Sequence, residues 1–107
     1  MGEDLVISIW GGSRPHVGAV ALAVPRPSLG NRVALSATSS VLTRLGHKED
    51  EIVKAVSERV SAALGTAVVV AAGIHWDDLR EEGITTVRSL CGELTERLIE
   101  RILERRE

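Results

Sequence analysis

The sequence predicts an α+β domain. The expected form is a two-layer sandwich, with a largely antiparallel sheet carrying its helices on one face, in the order β-β-β-α-β-α. Three observations lead there. Short β-branched or alanine-rich runs, punctuated by Gly, Pro and Ser, fill the first forty residues. Two later stretches repeat apolar residues at helical spacing. Between them, the apolar run 67–72 reads as one more strand.

The first strand is expected over residues 5–10, where Leu5, Ile7 and Ile9 share a face before Gly11-Gly12-Ser13-Arg14-Pro15 ends it. The second runs from Val17 to Val24. Val17, Ala19, Ala21 and Ala23 form one of its faces, and side chains that small imply close approach by a helix or a partner subunit. A loop at 25–31 leads to a third strand at 33–37. Such short connections suit an antiparallel meander, because parallel strands need longer crossovers. Residues 38–46 read as a Ser/Thr-rich loop anchored by Val41, Leu42 and Leu45, or as one short helical turn.

From Lys48 the pattern turns helical, with Ile52, Val56, Val60 and Ala63 in a stripe that Gly65 is placed to stop. The strand 67–72 is expected to be central and buried on both faces. Asp77 is a candidate cap for a short turn through Glu82. The final helix is expected from Thr85 or Thr86, with Val87, Leu90, Cys91, Leu94, Leu98, Ile102 and Leu103 as its apolar stripe. Its Glu and Arg residues describe a solvated face. No repeat or linker interrupts residues 1–107, which read as a single domain.

Composition narrows the function. The net charge of −2 offers no broad cationic field, and Phe and Tyr are absent, so a nucleic-acid partner is not expected. No run is long and apolar enough for a membrane span, and no signal peptide is read at the start. A single cysteine, Cys91, excludes an internal disulfide framework and fits a reducing cytoplasm. Its place on the apolar stripe marks it as a buried small hydrophobe. A core of Val, Ala, Leu and Ile has little volume per side chain, which favours self-association to at least a dimer.

The candidate functional residues lie at element ends. Gly11-Gly12-Ser13-Arg14 resembles a backbone nest for an anion with Arg14 as charged donor, and equally a flexible hairpin turn. His47 and Lys48 stand at a helix entry suited to phosphate, although a solvated first turn explains them as well. His75 follows the central strand at its carboxyl end, where ligand groups gather. His75 beside Asp77 invites a dyad reading, but no Ser or Cys has a nucleophile context. His16, His47 and His75, with Glu49, Asp77 and Asp78 nearby, together form a candidate metal set lacking a recognised spacing; scattered surface histidines are the plain alternative.

Three segments taken in order carry a family resemblance: Gly-Gly-Ser-Arg-Pro-His-Val-Gly-Ala at 11–19, Gly-His-Lys-Glu-Asp at 46–50, and Ala-Gly-Ile-His at 72–75. With them the chain resembles the prenylated-flavin chaperone-like family, the small D component that accompanies phenolic-acid decarboxylases. The resemblance implies a fold similar to proteasome assembly chaperones. It also implies a non-catalytic accessory role toward a flavin-dependent decarboxylase partner, with prenylated FMN as ligand and no metal. Gly11, Gly12, Arg14, His16, His47, Lys48 and His75 are then the expected cofactor contacts, and no catalytic residue is carried over. The alternatives are a small metal-dependent enzyme using His16, His47 and His75, and an assembly adaptor without a small ligand.

Overall fold

A computed structural model describes residues 1–28, 30, 35–44 and 49–106. Four strands and two helices follow the expected order: β1 (Leu5–Gly12), β2 (Ala19–Pro27), β3 (Leu35–Thr43), α1 (Asp50–Leu64), β4 (Val68–His75) and α2 (Glu81–Arg106). They build one sheet of order β1-β4-β2-β3, with both helices on one side. The α+β sandwich is as the sequence predicts. The meander is not.

β2 and β3 form an antiparallel hairpin, but β4 enters between β1 and β2, parallel to the first and antiparallel to the second. β4 takes that place because it is the most apolar strand and α1 carries the chain back across the sheet. Residues 13–18 must therefore cross the end of β4, a span of roughly 10 Å at ordinary strand spacing. Short backbone hydrogen bonds tie both ends of this crossing to β4. Ser13 N–H donates to the His75 carbonyl at 2.9 Å and Gly18 N–H to the Ala72 carbonyl at 2.8 Å. Gly73 permits it, since a Cβ there would overlap the His16 carbonyl. Gly12 is required twice over, by φ +92° and by the His75 backbone packed against it.

The core lies between α1 and the sheet. Ala19, Ala21 and Ala23 of β2 are almost fully buried, with α1 packed over β2 and β3, so the small-residue face does receive a helix. Val53, Val56 and Val60 of α1 meet Val68, Val70 and Ala72 of β4 in one cluster. Gly65 ends α1 in the left-handed conformation, its N–H donating to Ser61 O at 2.8 Å.

Several expected boundaries move. β2 begins at Ala19 and runs to Pro27; β3 extends through Thr43, so residues 38–43 are strand rather than loop or helical turn. Residues 33 and 34 of the expected third strand, and Leu45 and Gly46, lie outside the described residues. Over residues 68–72 only the helix side of β4 is fully buried, because Val69 and Ala71 face an uncovered sheet surface and are half-buried. That surface continues through the exposed Val6, Trp10, Leu22, Val24 and Leu42.

α2 starts at Glu81, a turn earlier than expected, because Gly83 is absorbed into its first turns with the Leu79 side chain lying where a Cβ would stand. Its buried line is Cys91, Thr95 and Ile99, while Leu90, Leu94 and Leu103 are exposed. The helix is thus rotated from the stripe its leucines suggest. The cause is its partner: α2 packs on α1 rather than flat on the sheet, and the exposed interhelical ion pairs Arg59–Glu96 (2.7 Å) and Arg88–Glu51 flank that contact.

Candidate functional site

The parallel pairing of β1 and β4 places Gly12 opposite His75, so the two carboxyl ends finish together. The 13–18 crossing then lays His16 over the same edge. The His16 and His75 rings stand 5.3 Å apart between centroids, tilted at 47°. His16 Nδ1 lies 2.9 Å from the Arg14 carbonyl, which only accepts, so this nitrogen carries the proton and donates.

Asp77 organises the rim. Arg14 Nη2 donates to its Oδ1 at 2.7 Å, and His75 Nε2 lies 3.1 Å from the same oxygen. The Arg14 hydrogen bond, then that of His75, hold the Asp77 carboxyl below its ordinary value of 3.8. Asp77 is therefore a clamp for two side chains and not the cap of a turn. The His75–Asp77 pair, two residues apart in sequence, is within hydrogen-bonding reach as well. Four of the five Arg14 N–H donors remain for another acceptor.

Beneath this rim opens a cleft of about 520 Å³. Arg14, His16, His75 and Arg88 give it cationic or imidazole edges, and Ile52, Ile74, Leu79, Ile84, Val87 and Trp76 give it apolar walls. Trp76 packs toward Gly11, its indole at ordinary contact distance from where a Cβ would stand. Glu49, at the start of α1, lines the same cleft with only 6% of its surface exposed.

Of the sequence-predicted set, Gly11, Gly12, Arg14, His16 and His75 converge on this one edge. His47 and Lys48 lie outside the described residues. Among the described residues, no group of three His, Cys, Asp or Glu is arranged to hold a metal ion. Glu49, a candidate metal ligand in the sequence, lines the cleft, and Trp76 and Arg88 enter the site without having been singled out for it. Arg88 and the apolar wall come from α2, and no local motif marks them. Trp76, one of two aromatic residues and next to His75, was the one available signal.

A family model described as the prenylated flavin chaperone LpdD-like domain matches residues 1–103 of the 107. No curated protein matches the chain.

Proposed function

The chain belongs to the prenylated flavin chaperone LpdD-like family, and from that membership we propose that it binds prenylated FMN in the β1–β4 cleft and delivers it to a decarboxylase partner. One observation carries the assignment to this cleft: Arg14, His16 and His75 converge at its rim while its interior is walled by aliphatic side chains and one indole. A flavin nucleotide needs that combination. Its phosphate calls for charge-assisted donors, and its ring system for an apolar slot. The volume of about 520 Å³ lies within the roughly 300–1,000 Å³ usual for small-ligand sites.

The role is holding and handing over. The rim donates hydrogen bonds, the walls exclude water, and among the described residues no activated nucleophile stands at the cleft. The same reading includes self-association through the uncovered sheet face and a cytoplasmic setting; among the described residues no helix is long and apolar enough to cross a membrane.

Anaerobic titration with FMN and with prenylated FMN tests the proposal. Saturable binding of the prenylated form, with no turnover by the isolated chain, is expected. Binding of neither flavin overturns it in favour of an adaptor without ligand. Turnover abolished by a chelator overturns it in favour of a metal-dependent enzyme.

A further inference from the structure

Glu49 is out of keeping with the rest of the core. Its Oε2 is the one buried side-chain oxygen or nitrogen without a hydrogen-bond partner among the described residues. Oε1 accepts only a long bond, 3.3 Å, from Ile74 N–H. The space for the carboxylate is made by Gly18, where any Cβ would overlap it. A protein-specific cradle thus surrounds a group that the ligand-free chain leaves unsatisfied, against the rule that buried polar atoms are paired.

We propose that Glu49 is the hydrogen-bond acceptor for the bound ligand, its Oε2 taking the imide N–H of the flavin's pyrimidine ring. The inference rests on the flavin reading above and deepens it. A carboxylate accepts and repels phosphate, so it cannot serve the anionic end of the nucleotide. That end belongs with Arg14 and Arg88. The imide N–H lies at the opposite end of the molecule and is a donor that every redox form of the flavin retains. The weak Ile74 bond lets the carboxylate shift toward it, and the dry surroundings strengthen the contact once made.

The same geometry separates this role from a structural one. A side chain that stabilises the fold weakens it when changed; one left unpaired until the ligand arrives does not. Thermal melts of ligand-free wild type and Glu49→Gln are therefore combined with anaerobic titration by prenylated FMN and its N3-methylated analogue. Glu49→Gln is expected to melt no lower than wild type yet bind prenylated FMN about tenfold more weakly, since a neutral acceptor forms roughly half as strong a bond. Wild type is expected to discriminate against the N3-methylated form, and the variant to do so less.

A melting point well below wild type, or an unchanged affinity, overturns the proposal. Equal wild-type affinity for the two ligands overturns the imide contact while leaving flavin binding intact. A wild type that binds neither ligand removes both the flavin reading and this contact.

Discussion

Arg14 is mostly exposed and already paired with Asp77, so its worth to the ligand-free fold is small. Its worth to an anion is larger, because a charge-assisted contact contributes roughly 1.5–3 kcal/mol. Arg14→Ala is expected to weaken prenylated FMN binding by about ten- to a hundredfold while leaving the melting point close to wild type. Titration and melting together check this. Glu58 behaves in the opposite way. Burial pushes its carboxyl up, but hydrogen bonds from Lys54 (2.6 Å) and Ser39 (2.6 Å) outweigh that and leave it below its ordinary 4.5. A lowered folded value means stability that is present above pH 4.5 and lost as pH falls through the folded value. Denaturation of wild type and Glu58→Gln across pH 3 to 7 is expected to show a gap at neutral pH that closes in acid.

At the level of elements, the position of α2 is the feature most open to measurement. Ile99 is 5% exposed and packs on the α1–sheet core, whereas Leu94 is 61% exposed. Ile99→Ala is expected to cost about 2–4 kcal/mol through lost burial and a residual cavity. Leu94→Ala is expected to stay within about 0.5 kcal/mol, although leucine is the larger signal in a hydropathy pattern. Chemical denaturation of the two variants decides between the observed rotation and the leucine stripe. β1 and β4 show the same dependence on partners. Neither alone marks a site, but their parallel pairing brings two glycine-rich ends together, and the 13–18 crossing adds His16.

For the whole molecule, the dominant feature is the uncovered sheet face. In register, Val6, Val69, Leu22 and Ser40 form one row across the four strands, and Ser8, Ala71, Val20 and Leu42 the next. These rows carry no charge, and several of their members are half or more exposed, which is characteristic of a surface covered by another chain. Of the two coverings expected for the alanine face, a helix or a partner subunit, the helix α1 takes it, which leaves the opposite face for a partner. Sedimentation at tens of micromolar is expected to show at least a dimer of the 11.5 kDa chain. Leu22→Lys is expected to shift it to monomer without unfolding it, because that side chain is already half exposed. A wild type that sediments only as a monomer would sink the idea.

The local pattern of residues determined the class and order of elements, the stop at Gly65, the burial of Cys91 and the narrow alanine face for a helix. Each follows from periodicity or from one residue's conformational needs, which are properties of neighbours in the chain. The element-end positions of Arg14, His16 and His75 were legible for the same reason. Their convergence was not. It depends on β4 entering between β1 and β2, a pairing over sixty residues of separation that no spacing encodes. The unpaired state of Glu49 is likewise a tertiary fact. Its sequence context reads as one acid in a charged first turn, and only the packing of Gly18 and Ile74 around it removes the water that would have satisfied it.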